Sequence, residues 1–399
     1  MCRLSFPGQR PAKFGRAPDA SELGIDIGKW FRYEGRRNAS FSQRRRLKHS
    51  SRKGAISSKL VTMRNSWVSR IFIGPHGLRS GWGLLIYVLI FAVCVCVQFF
   101  VTKLLADANP MLVAVQQQAQ KAMLGLEAMR PGAMLIIYGT SLAVILFVPC
   151  IMSLIERRRF GTYGLGGSHS IRNLAKGLLT GLVLISMLVG LLWVCRLLVF
   201  DGVEHAGGQL LSYGLKWFIV YFLVGLSEGY LSLGYLQSTL TRAFSAWFPK
   251  NNPLRFPVGF WSAALVLSAC FSLGHITHQT ESPVGLFTAF LFSVVSAYSL
   301  WRTGSLWWSI GVHATWDWGQ SFLYGVSDSG VSCQGRLLAA HPAGDPLLSG
   351  GLTGPEGSLF AIGILLLGAV LVRFTLPKQP YAQPLPATVR VSPTQGKLA

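Results

Sequence analysis

Acidic residues are scarce in this sequence. Its 399 residues include only 15 Asp and Glu against 37 Lys and Arg, which gives a formal net charge of +22. Charged residues make up 13% of the chain, about half the share that is usual in soluble proteins, whereas 51% of the residues are hydrophobic. This deficit excludes an ordinary soluble protein and predicts an all-α, polytopic membrane helix bundle.

Cysteine is also rare, and its distribution is uninformative. The seven cysteines are scattered, mostly within apolar runs, and no paired CxxC spacing occurs. The pattern therefore excludes a zinc ribbon and a disulfide framework.

The amino-terminal region lacks apolar periodicity and is strongly basic, with seventeen Lys and Arg before residue 71. It predicts a disordered arm over residues 1–75, read most simply as a solvated tail. Contact with an anionic membrane surface is an alternative, and contact with nucleic acid is not expected. Because about eighty residues precede the first apolar run, no secretory signal is expected, and Met63 is an alternative start.

Long apolar runs are abundant and predict about eight transmembrane helices, since about twenty apolar residues span a bilayer. The predicted spans are 82–102, 133–155, 177–200, 214–240, 257–276, 284–301, 305–324 and 357–375. Basic residues fall in alternate turns, for example ERRR at 156–159, whereas most loop acids fall in the others. This asymmetry predicts a multi-pass protein of the cell membrane with both termini in the cytoplasm.

The spans suggest a division of the chain into six parts. They are a basic arm at 1–75, amino-terminal transmembrane helices at 76–205, a helical core at 206–325, an extracytoplasmic loop at 326–356, a last transmembrane helix at 357–378 and a disordered tail at 379–399.

Four ionisable residues lie within the spans and away from their ends: Glu228, His275, His313 and Asp317. Such residues are costly in a bilayer and usually face the interior of the bundle. His313 and Asp317 are four residues apart and share a helix face, as do Phe271 and His275. Glu228, Ser232 and Tyr235 form a third polar stripe. We expect the three stripes to be buried against one another.

A carboxylate and two imidazoles in one pocket make general acid–base chemistry available. Glu228, His275 and His313 also match the ligand set of a catalytic zinc site. A proton or ion pathway uses similar residues, so spacing alone leaves a hydrolase and a proton-coupled transporter open.

The order of these motifs resembles the CAAX-protease and bacteriocin-processing (CPBP) family of intramembrane endopeptidases, which includes the Ras-converting CAAX endopeptidase. The family's EExxxR motif corresponds to EGYLSLGYL at 228–236, its FxxxH motif to ACFSLGH, and its HxxxN/D motif to HATWD at 313–317. The resemblance implies that Glu228 is the base that activates water, that His275 helps to hold this water, and that His313 and Asp317 support the oxyanion.

Two positions depart from the family pattern: Gly229 replaces the second Glu and Leu233 replaces the Arg. Replacing both members of a buried ion pair can be neutral, whereas removing one is costly. We interpret the change as the loss of an internal ion pair with the base retained. The same loss makes a non-catalytic relative, acting as an immunity or partner-binding protein, the main alternative.

The sequence thus predicts an intramembrane endopeptidase that acts on a peptide or protein substrate, with lipid-modified substrates among the candidates and membrane lipids as surroundings. Substrate contacts are expected from Phe271, Ser232, Tyr235 and Trp316. The family is labelled as metalloproteases, but its glutamate-base scheme needs no metal, and no tightly bound ion is expected. If zinc is present, Glu228, His275 and His313 are its predicted ligands.

Overall fold

The computed structural model describes residues 72–74, 77–167, 169–205, 207–277, 280–378 and 381. The predicted basic arm at 1–75 and the predicted tail at 379–399 lie almost entirely outside these residues. The elements in chain order are β1 Ile73–Gly74, β2 Gly77–Leu78, α1 Ser80–Ala108, α2 Pro110–Met123, α3 Pro131–Ile155, α4 Ser170–Val194, β3 Leu198–Val203, α5 Gly208–Leu233, α6 Tyr235–Ser245, α7 Arg255–Gly274, α8 Pro283–Thr303, α9 Trp307–Trp318, β4 Leu338–Pro342, α10 Pro346–Ser349 and α11 Leu359–Thr375.

The described part of the chain is a helical membrane bundle, which confirms the predicted fold class. Six helices in it are long and apolar enough to cross a membrane: α1, α3, α4, the α5–α6 unit, α7 with its following 3₁₀ turn, and α8. Two further apolar segments, α11 and α9 with the π-helical turn that follows it, are shorter. The count of eight spans therefore stays a prediction.

Helix α5 carries Glu228 and ends earlier than the predicted span 214–240. The chain breaks at Gly234 before α6 begins. A Cβ atom at Gly234 would lie 2.4 Å from the Tyr230 carbonyl oxygen, so this bend admits only glycine. The break rotates α6 relative to α5 and ends the polar stripe that the sequence predicts.

Helix α9 carries His313 and Asp317 and packs closely on α4. A Cβ atom at Gly177 would lie 2.2 Å from the Trp308 carbonyl oxygen, and one at Gly181 would lie 2.3 Å from the Val312 carbonyl oxygen. Gly311 of α9 approaches the α4 backbone in the same way. Small residues let the backbones of membrane helices come into contact. Here they fix the position of α9 along α4.

The region between α4 and α5 contains a strand that the sequence did not predict. Helix α4 ends at Val194, and Arg196 takes a left-handed conformation with φ of 60°, which terminates the helix before the predicted limit of residue 200. The strand β3 pairs antiparallel with β4, from Leu198 opposite Pro342 to Val203 opposite Leu338. This two-stranded sheet connects the 325–356 segment to the end of α4.

Candidate active site

Glu228 lies in the last quarter of α5, and its carboxylate has contacts from two other helices. Tyr138 of α3 donates a hydrogen bond from its hydroxyl to Oε1 of Glu228 at 3.2 Å. The Nε2 atom of His313 lies 3.7 Å from Oε2. Gly225, one turn before Glu228, allows this approach, because a Cβ there would lie 3.1 Å from Cβ of His313. Glu228 thus faces the bundle interior.

His313 and Asp317 are neighbours on one face of α9, as their spacing predicts. The Nε2 atom of His313 lies 3.4 Å from Oδ2 of Asp317. Asp317 is buried, with 5% of its surface exposed. The ring of Phe292 packs edge-on against the His313 ring at a centroid distance of 5.0 Å. His313 therefore sits between two carboxyl groups and is held by aromatic packing.

His275 follows the last residue of α7. Its Nδ1 atom lies 2.9 Å from the carbonyl oxygen of Phe271, which can only accept a hydrogen bond, so Nδ1 carries the proton. The Phe271 ring packs edge-on against the His275 ring at 4.8 Å. These contacts fix the ring orientation and leave Nε2 as the acceptor atom of the imidazole.

One cavity of about 120 Å³ brings these side chains together. All four predicted catalytic residues line it, as do the predicted contact residues Phe271 and Trp316. Tyr221 lies two turns before Glu228, on the polar stripe that the sequence predicts, and also lines the cavity. The cavity has further walls that the sequence did not predict, from Tyr138, Asp328, Glu356 and Leu365. Tyr138 carried no motif signal, because a tyrosine in an apolar helix is usually a packing residue.

Part of the 325–356 connection forms the rim of this cavity. Asp328 and Val331 exchange backbone hydrogen bonds across a two-residue turn, in which Ser329 and Gly330 have φ of 46° and 82°. Positive φ at both central positions is typical of a type I′ turn. Glu356 accepts hydrogen bonds from the amide and hydroxyl groups of Ser329 and so holds the turn in place.

The carboxyl groups at the rim are protonated more readily than usual. Burial raises the pKa of Asp328, and Glu356 raises it further. Burial raises the pKa of Glu281 to about 7, again with a contribution from Glu356. Burial also raises the pKa of Glu356, although the hydrogen bonds from Ser329 oppose the shift. The pKa values of these three carboxyl groups are thus all raised.

Two of the predicted contact residues lie away from this cavity. Ser232 donates to the backbone carbonyl of Glu228 at 2.8 Å and lines a separate, smaller cavity. Tyr235 follows the break at Gly234, is buried on α6, and donates to Oε1 of Glu156 at 2.8 Å. The prediction assumed one continuous helical face, and the bend removes Tyr235 from it.

The two positions that depart from the CPBP pattern are filled without charge. Leu233 is 1% exposed and belongs to a hydrophobic core cluster with Tyr230 and Ile310. A Cβ atom at Gly229 would have only Ile310 within 4 Å, at 3.8 Å. Hydrocarbon therefore occupies the position of the motif Arg, and open space remains beside Gly229.

The described residues include no group of three or more His, Cys, Asp or Glu side chains arranged to hold a metal ion. In this arrangement Glu228, His275 and His313 do not form such a group. The predicted use of Glu228, His275 and His313 as zinc ligands, like the expected lack of a tightly bound ion, remains a prediction.

Comparison with known proteins identifies one family model that matches this part of the chain. Residues 210–319, which run from α5 to the end of α9 and include all four candidate catalytic residues, match the family model described as type II CAAX prenyl endopeptidase Rce1-like. The match covers less than a third of the chain. Searches of curated proteins and of solved structures found no match. Residues 210–319 therefore resemble an Rce1-like domain within a membrane protein, which is consistent with the CPBP family.

Proposed function

We propose that this protein is an intramembrane endopeptidase that hydrolyses a peptide bond with a water molecule activated by Glu228. The observation that carries the proposal is one cavity lined by Glu228, His275 and His313, in which Oε2 of Glu228 lies 3.7 Å from Nε2 of His313. A carboxylate and two imidazoles at such distances are a general acid–base set.

In this mechanism, Glu228 takes a proton from a water that also donates a hydrogen bond to Nε2 of His275. The oxygen of the water attacks the peptide carbonyl carbon, and the carbonyl π electrons move to the oxygen to form a tetrahedral oxyanion. Glu228 then gives the proton to the leaving amine as the C–N bond breaks. The products are a carboxylic acid and an amine, and Glu228 returns to its starting state.

His313 stabilises the oxyanion through a proton on Nε2, which is the atom directed toward the interior of the cavity. Asp317, 3.4 Å from this nitrogen, holds the imidazole in the required orientation. An ionised Asp cannot itself donate a hydrogen bond to an oxyanion. We therefore assign Asp317 an orienting role, which it exerts at the Nε2 side of the ring and not at the second nitrogen as in a catalytic triad.

The distribution of charge supports a location in the cell membrane with both termini in the cytoplasm. Basic residues such as Arg158, Arg242 and Arg302 lie at one end of the helices, whereas Glu281, Asp328 and Glu356 lie near the other. The positive-inside rule places the basic end in the cytoplasm. The rim of the cavity then faces the extracytoplasmic side.

The substrate is a peptide or protein segment that reaches the cavity from the membrane. Phe271, Phe292, Trp316 and Leu365 give the cavity apolar walls beside its carboxyl groups. These walls suit an apolar chain, and a lipid-modified peptide is one candidate of that kind.

Cleavage by the purified protein in liposomes tests the proposal. A peptide library that includes prenylated and unmodified peptides would be incubated with the wild type and with the variants Glu228→Gln, His275→Ala and His313→Ala, and the products read by mass spectrometry. Glu204→Gln, which alters a carboxylate paired with Arg336 outside the cavity, is the matched control. A chelator added to the wild-type reaction tests the predicted zinc.

We expect the wild type and the Glu204 variant to cleave, and the three site variants to lose at least 100-fold in rate, about the contribution of a general base. Absence of cleavage by the wild type, or equal cleavage by all variants, would refute the proposal. The first result would favour the non-catalytic alternative, which the uncharged Gly229 and Leu233 also favour.

A further inference from the structure

A second, smaller cavity lies behind the candidate active site. Its volume is about 10 Å³, and its lining includes Gly229 and Leu233, the two positions that depart from the family pattern. Phe271, Phe292 and His313 line both cavities and form the wall between them. His313 is the polar member of this wall, so it can contact the contents of either cavity.

The small cavity has a mainly apolar surface, but serine hydroxyl groups lie in its lining. Four serines line it: Ser232, Ser293, Ser296 and Ser309. Three of their hydroxyl groups have partners, because Ser232 donates to the Glu228 carbonyl, Ser293 accepts from Ser268, and Ser309 donates to the Leu306 carbonyl. Ser296 is only 5% exposed, and its hydroxyl has no hydrogen-bond partner among the described residues.

A hydroxyl group that is enclosed in the protein without a partner destabilises the folded state. A cavity of about 10–15 Å³ holds one water molecule, provided that two to four polar groups surround it. The small cavity meets both conditions, since it has this volume and offers several hydroxyl groups beside His313.

His313 has one ring nitrogen available for such a water. Its Nε2 atom is directed at Asp317 and Glu228. Among the described residues, Nδ1 has no hydrogen-bond partner. His313 lines both cavities, so Nδ1 is the ring nitrogen that remains for a partner in the small cavity.

We propose that one buried water occupies the small cavity, where it accepts a hydrogen bond from Ser296 and donates one to Nδ1 of His313, which makes Ser296 a positioning residue for the reaction. The catalytic consequence rests on the proposed peptidase function. The water takes up part of the space beside Gly229, where the family pattern has the side chain of a second Glu.

The water fixes the tautomer of His313. A hydrogen bond donated to Nδ1 keeps that nitrogen unprotonated, so the proton of the neutral ring stays on Nε2. This is the nitrogen that the mechanism needs as a donor to the oxyanion. Ser296, which does not reach the substrate cavity, thus acts on the reaction through His313.

A spectroscopic test does not depend on activity. Protein labelled with ¹⁵N-histidine in nanodiscs would be compared as wild type, Ser296→Ala, Ser296→Thr and Ser299→Ala, with the His313 signal assigned through His313→Gln. Ser299 is the matched control, because its buried hydroxyl bonds to the Ser296 carbonyl within α8 and does not line the cavity. We expect an unprotonated, hydrogen-bonded Nδ1 in the wild type, in Ser296→Thr and in Ser299→Ala.

In Ser296→Ala the Nδ1 signal should move toward that of a mixture of tautomers. A proton on Nδ1 in the wild type, or an unchanged signal in Ser296→Ala, would overturn the proposal, whether or not any peptide is cleaved. Failure of the proposed function would leave these spectra as expected, so the two failures are distinguishable.

Kinetics then test the positioning role. We expect Ser296→Ala to lower kcat about tenfold, the effect of losing one hydrogen bond to His313, with KM within about twofold and a changed pH profile of kcat. Ser296→Thr and Ser299→Ala should retain wild-type kcat. An equal loss in Ser296→Ala and Ser299→Ala would indicate a purely structural effect and would contradict the role of Ser296.

Discussion

Tyr138 of α3 donates a hydrogen bond to Oε1 of Glu228 on α5, across 90 positions of the sequence. Tyr138 lies outside the segment that matches the Rce1-like model, residues 210–319, whereas Glu228 lies within it. A hydrogen bond to an ionised carboxylate is worth about 1.5–3 kcal/mol. Tyr138 therefore fixes the direction of the carboxyl group of the proposed base.

The variant Tyr138→Phe removes this hydrogen bond and keeps the ring. We expect kcat to fall about tenfold or more, because loss of about 1.5 kcal/mol at the base corresponds to a tenfold change. Peptide cleavage followed over pH measures the effect. Tyr324→Phe, which removes a hydroxyl bonded to Ser186 away from the cavity, should change kcat little. Equal losses in both variants would argue against a role for Tyr138 at Glu228.

A double variant tests the idea that an internal ion pair was lost at positions 229 and 233. Gly229→Glu and Leu233→Arg should each destabilise the protein by about 3 kcal/mol, because each buries an unpaired charge. Together they should be less destabilising than the sum of the two, with a coupling of about 1–3 kcal/mol. Unfolding in mild detergent by denaturant, for the wild type and the three variants, measures this coupling. Strict additivity would show that the two positions do not form a pair.

Glu156 at the end of α3 holds two buried arginines. It lies 2.8 Å from Nε of Arg158 and 3.0 Å from Nη2 of Arg242, and it accepts a hydrogen bond from Tyr235. Glu156→Gln removes the carboxylate charge that both guanidinium groups contact, so we expect a loss of about 3–5 kcal/mol in the free energy of unfolding.

Glu127→Gln is the control for this prediction. Glu127 pairs with Lys121 at 2.8 Å, but the two side chains are 43% and 55% exposed. Exposed pairs contribute about 0–1 kcal/mol, so the control should unfold almost like the wild type. Similar losses in the two variants would contradict the importance of burial.

The rim of the cavity should loosen as the pH rises. Burial, together with Glu356, raises the pKa of Glu281 from 4.5 to about 7 in the folded protein. The folded state thus keeps a proton that the unfolded segment loses above pH 4.5, and stability falls between these two values. The carboxyl groups of Asp328 and Glu356, whose pKa values are also raised, change in the same direction.

Hydrogen exchange of the turn at 328–331, corrected for intrinsic rates, measures this loosening. We expect more opening at pH 8 than at pH 5, and a smaller difference in Glu281→Gln, which keeps a neutral side chain at both pH values. Hydrogen exchange of the backbone amides in α11 serves as an internal reference. An equal pH effect in the wild type and in Glu281→Gln would show that Glu281 does not control the rim.

The sequence allowed the membrane bundle and the central residues of the site to be predicted, because both depend on local spacing. The four-residue interval between His313 and Asp317 places them on one helix face regardless of the rest of the fold. Glu228 and His275 could be paired with them because charges within membrane spans face the bundle interior. The roles of these residues in catalysis remain predictions.

Other features depend on long-range packing and left little local signal. Tyr138 and Glu356 reach the cavity only because distant segments fold against it. The position of Tyr235 was mistaken for a different reason, since the glycine in LSLGYL already marked a break in the helix. The strand β3 was missed because its residues are apolar and continue the preceding span.

The glycine contacts between α4 and α9 support the cavity from outside its walls. Helix α4 contributes no side chain to the described walls of the cavity, yet a methyl group at Gly177 or Gly181 would wedge α9 outward and carry His313 with it. Helix α4 is therefore a close-packed support for α9, and the absence of side chains at Gly177 and Gly181 sets the position of His313.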